Sequence, residues 1–377
     1  MIYFDNSATT QPDEQILDSF VEANRRFFAN PASLHSVGKE AEKLLERSRR
    51  QILSILGHPE GELIFTSGGT EANNLAVIGF AHALRHRGNH LITTVVEHPS
   101  ILQAFAYLEE QGFDVDYLSV NREGVISIGE LKAKLRKDTI LVSIMHVNNE
   151  IGSVQPIEKC AKIIHSDSRA VFHSDTVQSF GKLPVSLQGD SPDIITISGH
   201  KIHGLKGTGL LAMKKGLRPQ PILLGGGQEG GLRSGTVSVP NAVALAKAIR
   251  LTETGDGEER FRDWRNRLIA FCSQFENVMV LAPEQGAPHI ISLSFHSIKG
   301  EVAVNFFQEN GVIVSTSSAC SSKSKQASHV IEAIQLPEKW KSGVIRISFG
   351  KNNKEEEITH LEQTLVRFIE LLKRGQE

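Results

Sequence analysis

Lys201 closes the tetrapeptide Ser198-Gly199-His200-Lys201, which follows the apolar run Asp193-Ile194-Ile195-Thr196-Ile197 and precedes the Gly-rich His203-Gly204-Leu205-Lys206-Gly207-Thr208-Gly209. A lysine just past a buried strand is fixed by rigid backbone and partly stripped of water. Both effects favour a neutral amine able to form a Schiff base. Ser198 and His200 flank it as donors to an anion. These residue types together suit pyridoxal phosphate (PLP), with Lys201 bonded to its aldehyde. A surface lysine in a loop is the plain alternative, so the weight rests on the neighbouring motifs.

Several of those motifs also end strand-like runs, where open α/β sheets bind ligands. Ser67-Gly68-Gly69-Thr70-Glu71 follows the run 62–66. Gly68 and Gly69 permit close backbone approach, and the N–H groups opening the next helix suit a phosphate. Thr70 adds a hydroxyl, or simply caps that helix. Glu97-His98-Pro99 follows 91–96. His98 suits stacking on a heterocycle or shuttling a proton, and helix capping is its plainer role. Ser174-Asp175-Thr176-Val177-Gln178 follows 170–173. A carboxylate at a buried strand end needs a cationic partner. A protonated pyridine nitrogen is one, and the pair makes the ring a better electron sink. Gln178 is placed to donate to the ring oxygen. Asp175 as a simple N-cap leaves its coincidence with Lys201 unexplained. Asn149, in Asn148-Asn149-Glu150-Ile151-Gly152, is a candidate contact for substrate or cofactor. Gly225-Gly226-Gly227 and Arg233-Ser234-Gly235-Thr236 form a second Gly-rich stretch, either an anion cradle or a flexible loop.

Cys320 sits in a run of small polar residues, Ser315-Thr316-Ser317-Ser318-Ala319-Cys320-Ser321-Ser322-Lys323-Ser324-Lys325. Such a run predicts an exposed, mobile loop. The nearby lysines favour the thiolate, so a reactive cysteine is expected. Cys160 and Cys272 fall in apolar helical contexts and read as structural.

The elements that must position these residues alternate from about residue 40 to 250. Helical periodicity covers 41–56, 71–86, 99–111, 157–165 and 241–250; strand-like runs cover 62–66, 91–96, 139–147, 170–173 and 194–198. Pro99 suits the first turn of its helix. The apolar strands predict an α/β fold with a mainly parallel central sheet covered by helices. The acidic, Gly-containing stretch after 250 predicts a boundary, with a large domain over 11–250. Residues 1–10 and 251–377, the latter with shorter strands and a final helix, are expected to form a smaller α+β domain carrying Cys320.

The chain has 377 residues, enough for roughly two domains, with 40% hydrophobic and 22% charged residues. A net charge of −2 announces neither nucleic acid nor an anionic membrane. No apolar run is long enough to span a bilayer, and the start, Met1-Ile2-Tyr3-Phe4-Asp5, lacks a signal-peptide pattern. Three separated cysteines make neither a disulfide framework nor a metal cluster, so no metal and a reducing cytoplasm are expected.

Taken in order, the motifs resemble those of the cysteine desulfurases of the class V aminotransferase superfamily. They are Asp5-Asn6-Ser7-Ala8-Thr9-Thr10, Asn30-Pro31-Ala32-Ser33, Thr66 to Glu71, Glu97-His98, His146 to Gly152, Asp175 with Gln178, Ser198 to Lys201, Arg233 to Thr236, and Ser317-Ser318-Ala319-Cys320. The long cysteine loop is similar to that of group I, the NifS/IscS-like branch. The resemblance implies a homodimeric PLP enzyme of fold type I with shared active sites. It implies that Lys201 carries PLP, His98 stacks on the ring, Asp175 pairs with the pyridine nitrogen and Gln178 contacts the ring oxygen. Thr70, Ser198 and His200 would hold the phosphate, with Thr236 from the other subunit. Arg346 would clamp the substrate carboxylate, a task suited to its planar fork. L-cysteine would yield alanine. Its sulfur would pass as a Cys320 persulfide to an acceptor protein, an iron–sulfur scaffold or a tRNA-thiolation enzyme. Selenocysteine lyase, another aminotransferase-like PLP enzyme, and a non-catalytic scaffold are the rival readings. Two departures from the family pattern are Lys323 and Lys325 after the cysteine, and Ser174 before the aspartate.

Overall fold

A computed structural model of the protein describes residues 1–252, 257–316 and 328–374. Cys320, Lys323 and Lys325 therefore lie outside the described residues. The strands in chain order are β1 (Ile2–Tyr3), β2 (Glu62–Thr66), β3 (His90–Thr94), β4 (Asp114–Leu118), β5 (Thr139–Ser143), β6 (Val171–Asp175) and β7 (Ile194–Ser198). They continue with β8 (Gly209–Met213), β9 (Val278–Leu281), β10 (Ile290–Phe295), β11 (Val312–Ile313), β12 (Ser315–Thr316) and β13 (Val344–Ser348).

Seven strands form the central sheet in the order β2-β8-β7-β6-β5-β3-β4. Neighbours from β4 through β7 run parallel, and β8 is antiparallel to both β7 and β2. The sheet is thus mixed and mainly parallel. Every residue of β3, β5, β6, β7 and β8 is buried, as helices on both faces require. Successive side chains go to opposite faces: Ile64 joins Phe80 and Phe105 on one side, while Leu63 and Phe65 join Ile52 and Leu245 on the other. Polar residues inside the strands pair across the sheet. His173 bridges Ser143 at 2.8 Å and Thr196 at 3.1 Å.

Two strands of the central sheet and helix Glu14–Arg26 are among the elements that extend the sequence reading. β8 is short and follows a Gly-rich stretch; β4 is an edge strand with alternating charge. Helix Glu14–Arg26 buries only Ile16 and Ala23, so its apolar stripe is thin. The helix expected over 71–86 starts earlier, at Gly69, and passes through a wider π turn over Leu75–Gly79. Its N-cap is Gly68, so Thr70 lies inside the first turn. The strand expected over 139–147 ends at Ser143, and the chain beyond turns toward the site.

The C-terminal part holds a four-stranded antiparallel sheet, β12-β13-β10-β9. Its core contains Trp264, Phe295, Phe307, Phe349 and Phe368, and Phe4 from the N-terminus is packed among them. Phe295 and Phe368 meet edge to face at 4.9 Å. β1 pairs in parallel with β11, which ties the first residues to this second core. Cys160 and Cys272 are buried, and burial pushes both thiols up to about 12, so neither supplies a thiolate.

β2 is an edge strand whose outward backbone groups need partners. Glu229 supplies one: its carboxylate accepts from the Phe65 amide at 2.9 Å and from Arg49 at 2.7 and 3.0 Å. Arg49 also donates to the Leu63 carbonyl. The Glu229 side chain is 1% exposed. Breaking a buried pair by removing one partner costs about 3–5 kcal/mol. Glu229→Ala should therefore lower the urea midpoint clearly, with Glu229→Gln losing less because it still accepts from Phe65. Equal midpoints for the Ala variant and the parent would refute this edge-capping account.

Candidate active site

The carboxyl ends of β2, β6 and β7 lie side by side with the start of β8. Register sets Asp175 beside Thr196, and Gly209 opposite both Ser198 and Thr66. A Cβ on Gly209 would come within 2.6 Å of the Gly68 backbone, so glycine is required for the turn after β2 to close over the sheet. A Cβ on Gly69 would stand 3.1 Å from Val177 and 3.5 Å from Ser198 Cβ. The turns after three strands thereby crowd into one place.

They open on a cavity of about 560 Å³. It is lined by Gly69, Thr70, His98, Asn149, Asp175, Gln178, Ser198, His200, Lys201 and Arg346. Ten of the twelve candidate residues thus share one space. Cys320 lies outside the described residues. Thr236 lines a separate cavity of about 270 Å³ with Thr66, Ser67, Gly207 and Arg233.

Asp175 is buried, and each oxygen has a neutral donor. Oδ2 accepts from the Asn73 amide at 2.7 Å, and Oδ1 from the Val177 backbone at 2.9 Å. Lys201 Nζ donates to the carbonyls of Ser7 at 2.5 Å and Ala8 at 2.8 Å. Gln178 Nε2 donates to the same Ser7 carbonyl at 3.0 Å. His200 Nδ1 stands 3.2 Å from Thr9 Oγ1, and Thr10 binds the His200 carbonyl through its amide and hydroxyl, each at 2.9 Å. Residues 7–10 therefore lie across the lysine turn.

His98 is the N-cap of helix Pro99–Glu110 and lines the cavity as well. Its Nδ1 accepts from the Ser100 amide at 3.1 Å, which puts the proton of the neutral ring on Nε2. Burial holds its imidazole below the usual histidine range, against the pull of Asp175. Burial, then the charges of Lys201 and Lys206, lower His200 to about 4. Both rings are neutral near pH 7.

Arg346 reaches the cavity from the middle of β13. Its Nη1 donates to the Asn149 carbonyl and its Nη2 to Asp5 Oδ1, both at 2.8 Å. Its Nε is buried without a hydrogen-bond partner among the described residues. Asn148 holds the adjoining turn: Oδ1 accepts from the amides of Glu150 at 2.9 Å and Ile151 at 3.0 Å. Asn73, Ser7, Glu150, Ser328 and His329 also line the cavity, though sequence reading did not single them out. Their signal was faint. Asn73 adjoins the Gly-Gly-Thr motif, and Ser7 belongs to the N-terminal motif.

The residues fit a phosphorylated, cationic heterocycle. The Ser198 hydroxyl is buried and has no hydrogen-bond partner among the described residues. Thr70 and His200 border the same space, Gly69 leaves room where a side chain would intrude, and among the described residues Asp175 has no cation hydrogen-bonded to it. Among the described residues, no cluster of three or more His, Cys, Asp or Glu is placed to hold a metal ion. No helix of the described residues is long and apolar enough to cross a membrane.

Residues 2–361 match the family model of the class-V aminotransferases. The chain belongs to that family, whose cysteine desulfurases are its relatives along nearly the whole length. Cysteine desulfurase IscS 1 of Archaeoglobus fulgidus is 38% identical over 376 residues, covering 99% of this chain and 98% of the relative. Cysteine desulfurase IscS of Dictyoglomus turgidum is 39% identical, covering 99% and 95%. Among solved structures, a NifS-like protein superposes with a TM-score of 0.90 at 35% identity, covering 99% of both chains. SspA in complex with cysteine gives 0.81 at 33%, covering 93% and 99%.

Glu97 lies beneath this site, fully buried. Oε1 accepts from the Met145 amide at 2.8 Å and the Thr94 hydroxyl at 2.9 Å; Oε2 has no partner among the described residues. Burial first, then the charge of Asp175, raise its carboxyl from 4.5 to about 8. The folded state thus holds a proton that the unfolded chain releases, and stability falls as pH rises from about 4.5 to about 8. Glu97→Gln removes that dependence. The variant's denaturation midpoint should gain on the parent across this window and level off above it. A difference independent of pH would rule out the buried neutral carboxyl.

Proposed function

We propose that this chain is a PLP-dependent cysteine desulfurase that converts L-cysteine to L-alanine and passes the sulfur on as a Cys320 persulfide. One observation carries the reading: among the described residues a single cavity gathers an amine, a buried carboxylate with no cation hydrogen-bonded to it, two neutral imidazoles, a hydroxyl without a partner and a guanidinium. PLP bound there supplies an electron sink for the bond-breaking at the substrate Cα. Asp175 holds the ring nitrogen in its protonated form. His98 covers the ring, and Gln178 donates to its oxygen. Gly69, Thr70, Ser198 and His200 hold the phosphate.

Arg346 and Asn149 orient the substrate by its carboxylate. Lys201 Nζ, once free of the cofactor, takes the Cα proton and returns it to the product. Cys320 Sγ attacks the substrate sulfur. A sulfur–sulfur bond forms and the substrate carbon–sulfur bond breaks, its electron pair remaining on the three-carbon fragment, which takes a proton and leaves as alanine. The described ends of the segment 317–327 support this role. Ser315 is paired with Arg346 across the sheet, and Ser328 lines the cavity.

The protein works, in this reading, as a cytoplasmic homodimer. Phe28, Leu34 and Leu224 are 77%, 88% and 82% exposed, large apolar groups that a second subunit would cover. The position of Thr236 outside the cavity fits donation across such an interface. The acceptor is a protein of iron–sulfur assembly or tRNA thiolation. Labelled cysteine supplied with each candidate acceptor identifies it.

Two substitutions separate cofactor binding from sulfur transfer. Lys201→Ala should lose the covalent link to PLP, checked by borohydride trapping and peptide mapping; an adduct on another lysine overturns the assignment. Cys320→Ser should still bind PLP and cysteine, while alanine release falls by orders of magnitude, because a serine hydroxyl is a poor nucleophile at neutral pH. Undiminished alanine formation would remove Cys320 from the mechanism.

A further inference from the structure

Asp175 and Gln178 open a turn after β6 that ends on a second lysine. Ser179 and Phe180 amides bond the Thr176 carbonyl at 3.1 and 2.9 Å, and Lys182 and Leu183 amides bond the Ser179 carbonyl at 3.0 and 2.9 Å. Gly181 has φ of +74°, and a Cβ there would meet Thr252 at 2.9 Å. Glycine is thus required for the bend that sends Lys182 back under the site. Lys182 Nζ donates to the Lys201 carbonyl at 2.9 Å. That carbonyl ends the short turn Gly199–Lys201, and two residues on the chain takes a left-handed conformation at His203, φ +58°.

We propose that Lys182 is a positioning residue for Lys201: its amine fixes the Lys201 main chain and, while it holds its proton, opposes a second positive charge on the Lys201 side chain. The groups facing Lys182 are Lys201, His203 and His289. No carboxylate pairs with it among the described residues. Beyond His203, Asp13 is already engaged by Lys351. His289 is buried, with neither ring nitrogen hydrogen-bonded to a side chain among the described residues, and burial and neighbouring cations keep it neutral. Burial, then the charge of Lys201, bring Lys182 itself down to about 7. Repulsion between two amines acts equally on both, so each makes the other easier to deprotonate. An adjacent cation is a recognised way to activate an amine nucleophile.

This inference rests on Lys201 as the residue that holds PLP, and the test separates the two. In the holoenzyme, the visible band of the Lys201–cofactor linkage is titrated with pH. Lys182→Gln keeps a donor for the carbonyl and removes the charge, so the linkage should hold its proton longer. The midpoint should rise by about one unit or more. Lys182→Arg keeps the charge and should stay with the parent. A Gln variant with reduced thermal stability and an unmoved midpoint makes Lys182 merely structural and overturns the proposal. Borohydride mapping of the parent tells the failures apart, since an adduct away from Lys201 sinks the underlying assignment instead. Should Lys182→Gln not fold, the reciprocal measurement decides. In full-length Lys201→Ala, the pH of half-maximal acetylation of Lys182, read by mass spectrometry against the cofactor-free parent, should rise. An unchanged value overturns the proposal.

Discussion

A carboxylate buried at the end of β6 governs the site around it. Asp175 has two neutral hydrogen bonds, and burying a charge with so little compensation is costly. Its neighbours register the cost. Glu97 is pushed toward its neutral form partly by Asp175, while His98 is pulled toward protonation by it and held back by burial. The positive groups of the cavity are occupied elsewhere: Lys201 on backbone carbonyls, Arg346 on Asp5. A cationic ring nitrogen placed beside Asp175 would remove the imbalance. Binding of such a ring and the integrity of this buried corner would then be one energetic problem.

The supporting scaffold follows from the same need for precision. Asp175 is adjacent in register to Thr196 on β7, and the lysine turn begins after Ser198. The distance between carboxylate and amine is therefore set by strand pairing. The turns then crowd against one another through Gly69 and Gly209, which leave no space for side chains. Rigid strands with short turns hold reacting groups more exactly than long loops do.

The legible part of this design was the local part. Apolar runs marked the central strands, and each ended in residues whose chemistry showed through their types. The sheet and nine residues of the cavity could be read that way, whereas Arg346 entered only through the family resemblance. The illegible part needed contacts between distant segments. Asn73 meets Asp175 across 102 residues, and Arg346 meets Asp5 across 341. Asn73 adjoins one motif and Asp5 opens another, but nothing local says which distant residue each one meets. β8 was hidden because a five-residue apolar strand after glycines resembles a loop, and its antiparallel direction has no local signature. The π turn at Leu75–Gly79 keeps a helical apolar pattern, so periodicity alone passes over it. The local sequence Gly181-Lys182-Leu183-Pro184 carries no mark of a site lysine. Only the fold reveals that its amine sits under the Lys201 carbonyl.

The N-terminal ten residues join the two ends of the site physically. Phe4 is locked in the C-terminal aromatic core. One residue on, Asp5 takes Arg346; three on, the Ser7 carbonyl takes both Lys201 and Gln178; further on, Thr9 and Thr10 hold His200. The arginine already has two of its nitrogen groups engaged, so any carboxylate that reaches it must share it with Asp5. Two anions on one guanidinium repel at short range unless the added hydrogen bonds offset them. The unpartnered, buried Nε is the donor left to do so. Asp5 and Ser7 are two residues apart in one turn, closed by the Ala8 amide on the Asp5 carbonyl at 3.0 Å, so a shift at the guanidinium end is felt at the amine. A carboxylate bound at Arg346 and a movement of the Lys201 amine would thereby act on a single short run of backbone.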